Sequence, residues 1–477
     1  MILVAFVLSL LSFVLIGAWS ATKKQDNIED YLVVGRRVPA WLSALSSAAT
    51  NNSGFMFIGL IGFAYRFGVQ AIWLQAGWIF GDYLAWRWVH ARVRTVSGEI
   101  RACSTPALLA TDDTGGVARS ISIGAGVLTF LFLGGYAAAQ FNAGSTALHT
   151  LFGWDLRVGA WLGAIIVLLY SFSGGLRASI WTDAAQAFVM IVSMIAVVYA
   201  AYSRVGGPEA LFTALEELDP DLLVWAPDTL RFGLAVYVLG FVCGGFGVVG
   251  QPHILARSMA IESAEAVGTA RKIYFAWFIP FSILAVLAGL YARVLLPELA
   301  QGVTESALIS AQSAERALPA MVMQTLPDFW VGFVLAGLFS ATMSTADSQV
   351  LACSAAITQD IAPRWRESYL ASKIATTAVT MLALVFALNA SEGVFDLVLG
   401  AWSALGASLG PLVILRVFKR RVPPSLAMAM MCAGIATTSF WDASPWSGAV
   451  FKLLPAMIVP FMIYAGYAFI VRGSRSS

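Results

Sequence analysis

Residues 41–65 read WLSALSSAATNNSGFMFIGLIGFAY. A bilayer crossing takes about 20 mostly apolar residues, and this stretch is long enough. Its middle breaks the pattern. Ala48-Ala49-Thr50-Asn51-Asn52-Ser53-Gly54 puts polar and helix-loosening residues where hydrocarbon would lie. Freed backbone groups are tolerated at that depth only where they line a cavity or find protein partners. The stretch 230–250 is interrupted in a similar way, by Gly244-Gly245-Phe246-Gly247-Val248-Val249-Gly250-Gln251-Pro252, where Pro252 removes a backbone donor. Taken singly, each reads equally well as glycine-mediated helix packing. As a pair, each heading a block of five helices, they point to the binding site of a membrane transporter.

The rest of the chain agrees with a membrane setting. Its 477 residues are 59% hydrophobic and 12% charged, with 42 glycines. Mean hydropathy is +0.78. Soluble domains carry about 25% charged residues. The net charge of +2 gives no sign of a nucleic-acid partner. Cys103, Cys243, Cys353 and Cys432 form no CxxC spacing and read as packing residues. His90, His149 and His253 form no metal-ligand motif, so no metal other than sodium and no cofactor is expected.

Thirteen stretches meet the length and apolarity test: 1–20, 41–65, 69–89, 121–147, 156–172, 180–202, 230–250, 273–294, 328–356, 374–390, 394–416, 424–440 and 447–470. The first is read as a helix with its N-terminus outside, because Lys23 and Lys24 follow it, not precede it. With that orientation all but seven of the 29 Lys and Arg residues fall on the cytoplasmic side. The exceptions are Arg66, Arg157, Arg204, Arg231, Arg293, Arg316 and Lys452. Arg257 counts among the cytoplasmic loop and helix-end residues. This positive-inside bias sets the helix count and a cytoplasmic C-terminus. No intervening stretch is long enough for a soluble domain, and there is no P-loop to energise transport. An enzyme reading lacks a catalytic constellation.

Polar residues inside the spans carry the chemistry. In Phe339-Ser340-Ala341-Thr342-Met343-Ser344-Thr345-Ala346-Asp347-Ser348-Gln349, positions 341, 344, 345 and 348 share one helix face. Such a face offers uncharged oxygens to a hard cation, or hydrogen bonds to its own helix carbonyls. Asp347 within a span is a functional residue by default. Asp183, in the first turn of its helix, reads either as functional or as stabilising that N-terminus. Asp82 reads as structural, paired with Arg87.

Four motifs, in order, resemble the sodium/solute symporter family, closest to its sodium/proline symporters, over about residues 1–420. They are Ser173-Gly174-Gly175-Leu176-Arg177-Ala178 with Trp181-Thr182-Asp183, then Gly250-Gln251-Pro252-His253-Ile254-Leu255-Ala256-Arg257, then Met343-Ser344-Thr345-Ala346-Asp347-Ser348-Gln349, then Ser354-Ala355-Ala356-Ile357-Thr358-Gln359-Asp360. The resemblance implies an all-α fold with a leucine-transporter-type core of two inverted repeats. Helices two to six (41–202) would form the first repeat and helices seven to eleven (230–416) the second. Segments 1–20 and 424–470 would be peripheral. It implies a sodium ion held by the carbonyls of Ala49, Asn52 and Ala341 and the hydroxyls of Ser344 and Thr345. Some members hold a second sodium near the aspartate matching Asp183, a region that Asp347 and Ser348 would face.

Departures from the family concern the solute. Proline symporters carry an aspartate at the place of Asn51. They carry a tryptophan and a tyrosine at the places of Gly244 and Val248, so the pocket is expected to be more open here. Asn51, Ser53, Gln75, Tyr136, Phe246 and Val248 are the expected solute-binding residues. The expectation is a sodium-coupled symporter in a bacterial inner membrane, importing proline or a related amino acid. Its partners are the solute, sodium and lipid. A solute sensor retaining the fold, or a proton-coupled symporter using Asp183 and Asp347, are the alternatives.

Overall fold

The computed structural model describes residues 1–477 apart from 24, 26, 228–229, 301–310, 390–392 and 477. Lys24, used in the charge reading, lies outside the described residues. Among the described residues the regular structure is helical, with isolated bridges only between Val38 and Ile261 and between Thr111 and Val117. The first part of the chain forms α1 (Ile2–Ala21), α2 (Ile28–Val33) and α3 (Ala40–Asn51). A π-turn (Phe55–Leu60) leads to α4 (Ile61–Phe67), α5 (Ala71–Trp88), α6 (His90–Glu99) and α7 (Thr105–Ala110). The long helices α8 (Arg119–Phe152) and α9 (Leu156–Val205) follow, then the short α10 (Pro208–Leu218).

The second part opens with α11 (Gly233–Phe246), a 3-10 turn (Gly247–Gly250) and α12 (Pro252–Ala260). Next come α13 (Ala266–Leu295), α14 (Ala311–Ala314), α15 (Ala317–Thr325) and α16 (Asp328–Ala355). The chain ends in α17 (Tyr369–Asn389), α18 (Val394–Ser408), α19 (Gly410–Val417), α20 (Pro424–Asp442) and α21 (Leu453–Ser476).

Ten stretches of the described residues are long and apolar enough to cross a membrane, so the chain is an all-α, multi-pass membrane protein. The expected boundaries differ in three places. Phe55–Glu99 is one apolar run, and the 3-10 turn Gly68–Gln70 divides it. The expected spans 156–172 and 180–202 are two arms of α9, of which Leu156–Leu169 is short. The third, α20, covers the expected span 424–440 but carries the polar run Thr437-Thr438-Ser439 near its end and is not among the ten.

Two kinds of glycine shape the bundle. Gly175 bends α9 with a φ of +56°, and a Cβ there would lie 2.4 Å from the Tyr31 ring. That close approach seats α2 against the bend, and the Arg177 guanidinium ties it there through Asp30. Between α5 and α11, Cβ atoms on Gly81 and Gly245 would each come within 1.9 Å of a backbone carbonyl of the other helix. Small residues let membrane helices approach this closely and pack by dispersion. At the centre stands α16, buried without a break from Val334 to Leu351 and packed by α1, α3, α8, α9 and α17. A helix buried on all sides needs no apolar stripe, which is why Ser, Thr and Asp occur all around it.

A Gly245→Val substitution should therefore drive α5 from α11. Overpacking of this kind costs about 1–3 kcal/mol. The midpoint of thermal unfolding of the detergent-purified protein should fall clearly, and an unchanged midpoint would show that the contact is not tight.

Candidate ion and solute site

The break in the first interrupted span lies where the sequence placed it. Asn52 closes α3 with φ −95° and ψ 64°, and its amide donates to the Ala48 carbonyl at 2.8 Å. Gly54 N–H donates to Gln140 Oε1 on α8 at 2.9 Å. A Cβ at Gly54 would lie 2.7 Å from Thr342 Cγ2, so only glycine fits there. The last turn of α3 faces α16. Ser344 Oγ donates to the Ala49 carbonyl at 3.0 Å and the Ala341 carbonyl at 3.2 Å. Thr345 Oγ1 donates to the Thr50 carbonyl at 2.9 Å and the Ala341 carbonyl at 3.0 Å. Four of the five expected ion ligands are thus brought together, with Thr50 as an addition, and Asn52 caps the same helix end. Each hydroxyl now donates to a carbonyl. Turned about its C–O bond, it would instead offer a lone pair to a cation beside those carbonyls.

One turn along α16 lies a cluster of charges with an unexpected centre. Arg257, read from sequence as a cytoplasmic end residue, is 1% exposed. Its Nη2 lies 3.0 Å from Asp183 Oδ2 and 3.1 Å from Ser179 Oγ, and it also donates to Ser348 Oγ. Nε donates to Ser46 Oγ at 3.1 Å, and Nη1 to the His253 carbonyl at 2.6 Å. Ser46 also donates to Asp183 Oδ2 at 2.6 Å. Asp347 Oδ1 accepts from Ser179 Oγ at 3.1 Å and Ser348 Oγ at 3.0 Å. One guanidinium therefore joins α3, α9, α12 and α16. Among the described residues Asp183 Oδ1 and Asp347 Oδ2 have no hydrogen-bond donor. Arg257 closes the Gly250–Arg257 motif noted in the sequence. The missed signal was its place at the end of α12, a helix buried from Pro252 to Leu255.

Beside the α3 break is a cavity of about 20 Å³, room for about one water. Asn51, Ser53, Gln75 and Tyr136 line it, and Trp78 and Trp402 form part of its apolar wall. Ser53 Oγ and Tyr136 Oη are 3.3 Å apart, and Gln75 Nε2 donates to Ser282 Oγ at 2.7 Å. Phe246 and Val248 do not line this cavity. The 3-10 turn after α11 holds Val248 in the core at 1% exposure, and Phe246 packs only partly against that core.

Two expectations need correction. Gly244 does not open the pocket, because the Trp78 ring lies where its side chain would be, 2.7 Å from an added Cβ. Trp402 Nε1 donates to the Gly244 carbonyl at 2.8 Å, which seals the same place from α18. Asp82 does not pair with Arg87. Its Oδ2 accepts from Tyr274 Oη at 2.5 Å and Asn51 Nδ2 at 3.2 Å, so the Asn51 amide is held by a carboxylate and a phenol.

The profile described as "Sodium:solute symporter family" matches residues 31–434. A sodium/proline symporter of Escherichia coli (strain K12) is 30% identical over 469 residues, covering 96% of this chain and 90% of that one. A high-affinity proline transporter of Bacillus subtilis (strain 168) is 27% identical, covering 92% of each. Among solved structures, a Na+-coupled sialic acid symporter in a substrate-bound outward-open state matches with a TM-score of 0.76. It covers 96% of both chains at 18% identity, a likeness of fold.

Removing one partner of a buried ion pair leaves an uncompensated charge and costs about 3–5 kcal/mol. Arg257→Met should therefore lower thermal stability strongly, and Asp183→Asn in the same chain should restore part of the loss. Melting curves of the two single variants and the double variant measure this coupling. Additive losses would mean that the two residues do not act as a pair.

Proposed function

The chain belongs to the sodium:solute symporter family, whose members are membrane transporters and not enzymes, and from that premise we propose that it imports proline or a related amino acid with sodium as the coupling ion. The convergence of Ser344 and Thr345 on the last carbonyls of α3 carries this reading. The sodium would be held by the carbonyls of Ala49, Asn52 and Ala341 and the hydroxyls of Ser344 and Thr345. Every donor in that set is an uncharged oxygen, which suits a hard monovalent cation. Arg257 pairs with Asp183 and reaches Asp347 only through Ser179 and Ser348, and each carboxylate keeps one oxygen without a donor among the described residues. We place the pathway of a second cation there, with Ser348.

The solute reading rests on the cavity and on the relatives. Asn51, Ser53, Gln75 and Tyr136 supply a few polar groups against the rings of Phe55, Trp78, Phe278 and Trp402. A small amino acid with an apolar ring has the same mixture. Two relatives carry proline transport in their names. The cavity admits only a water, so binding needs the rings to part. Sodium bound between α3 and α16 would fix the α3 end and so preorganise Asn51 and Ser53. Coupling then requires that sodium favour one conformation over the other. The membrane potential adds about 2.3 kcal/mol per charge per 100 mV to inward movement.

In this reading the chain crosses a bacterial inner membrane thirteen times, with its N-terminus outside and its C-terminus in the cytoplasm. Besides the ten stretches above, the crossings come from dividing Phe55–Glu99, from Leu156–Leu169 and from α20. Residues 41–202 and 230–416 would be inverted repeats of a leucine-transporter-type core, each opening on a broken helix.

Proteoliposomes with an inward sodium gradient should accumulate labelled proline, and Ser344→Ala with Thr345→Ala should raise the sodium concentration for half-maximal uptake by about tenfold or more, equivalent to about 1.4 kcal/mol. Binding without accumulation would instead make the protein a sensor. Accumulation that follows a pH gradient without sodium would make it proton-coupled.

A further inference from the structure

A large cavity shares no lining residue with the one beside the α3 break. It measures about 900 Å³ and lies between the turn after α7 and the segment joining α19 to α20. Ligand pockets span roughly 300–1,000 Å³. Arg416, Lys419, Arg420 and Arg421 line it. The chain places them there by ending α19 abruptly. Lys419 takes a φ of +54°, Arg420 N–H returns to the Leu415 carbonyl at 2.9 Å, and Pro423-Pro424 prevents the helix from continuing.

The charges of this cluster are not all satisfied by protein. Arg416 is, through Asp113 at 2.8 Å and the carbonyls of Leu108 and Thr111. Lys419 lies 3.7 Å from Glu99, with both side chains largely exposed. The guanidinium groups of Arg420 and Arg421 have no ion pair or hydrogen bond among the described residues. Among the described residues, neither carboxylate of the cavity, Asp112 or Asp113, makes an ion pair with them. The Arg416 guanidinium holds Asp113 below the usual carboxylate range. Asp112 is turned into its own loop, accepting from Thr114 N, Thr114 Oγ1 and Gly116 N.

The other walls are apolar. Val117, Ile121, Leu412, Val422 and Ala427 line the cavity beside the basic residues. Tyr467 of α21 lines the cavity too, and Ile470, one turn on along the same face, is exposed. Unpaired guanidinium groups beside apolar walls that continue onto an exposed apolar helix face match one ligand chemistry: a phosphodiester attached to acyl chains. We propose that this cavity binds the headgroup of an anionic phospholipid, with Arg420 and Arg421 on the phosphate and an acyl chain along α21. One wall comes from α7 and α8, the other from α19, α20 and Tyr467 of α21, so the lipid joins the last two helices to the rest of the bundle.

The test uses the full chain, purified and stripped of lipid in neutral detergent, and its readout does not depend on which solute is carried. Thermal unfolding is followed on adding phosphatidylglycerol, phosphatidylcholine or inorganic phosphate. Phosphatidylglycerol should raise the midpoint more than phosphatidylcholine does, and inorganic phosphate should leave it unchanged. A basic residue near anionic lipid contributes about fivefold in affinity, so Arg420→Gln with Arg421→Gln should weaken phosphatidylglycerol binding by about 25-fold. Equal shifts with the two lipids, or full preference kept by the double variant, would overturn the proposal. An equal shift with inorganic phosphate would assign the site to free phosphate and overturn the lipid. Should the double variant not fold, the comparison of the two lipids on the unmodified chain decides alone.

Discussion

Every backbone N–H and C=O within hydrocarbon must find a partner inside the protein. Two helices of this chain break that rule locally, and much of the interior is arranged to restore it. At the end of α3, Ser344 and Thr345 of α16 cover the carbonyls of Ala49 and Thr50, while Gln140 of α8 takes the N–H of Gly54. At the end of α11, Trp402 of α18 covers the carbonyl of Gly244, and Gln251 reaches back to the Trp402 carbonyl at 2.9 Å. The partners are side chains, not the next turn of a helix. Side chains rotate, so these carbonyls can be uncovered without unwinding a helix.

The same economy explains Arg257. A guanidinium has five N–H donors and no acceptor, and in the interior each needs an oxygen. Serines 46, 179 and 348, Asp183 and the His253 carbonyl supply five oxygens, three of them gathered on Nη2 and one each on Nε and Nη1. These oxygens come from four helices spread over the chain, so the charge fixes how the helices meet. Such a buried pair gives little net stability against an apolar replacement but is costly to break from one side.

The elements legible in the sequence were those set by local pattern. Apolar length found the spans, and the interruptions at Asn51–Gly54 and Gly244–Pro252 located the two breaks. The spacing of Ala341, Ser344 and Thr345 found the face that meets α3. Contacts between distant segments were not legible. Nothing near Gly244 says that an indole from position 78 will lie on it, and nothing near Asp82 says that Tyr274 will reach its carboxylate. Arg257 was misread for a related reason. Counting charges assigns every Arg near a helix end to the surface, and only the four-helix meeting puts this one inside.

The seating of Trp78 on Gly244 has a consequence for how the solute site can diverge. Two positions share one volume, and either may hold the ring, but not both. A ring added at 244 is obstructed while Trp78 stays, and removing Trp78 alone leaves a void beside a bare helix. The two changes offset one another in volume, so a ring passes between α5 and α11 only when both positions change together. A survey that varies one residue at a time would rate both positions as immutable and overlook the exchange.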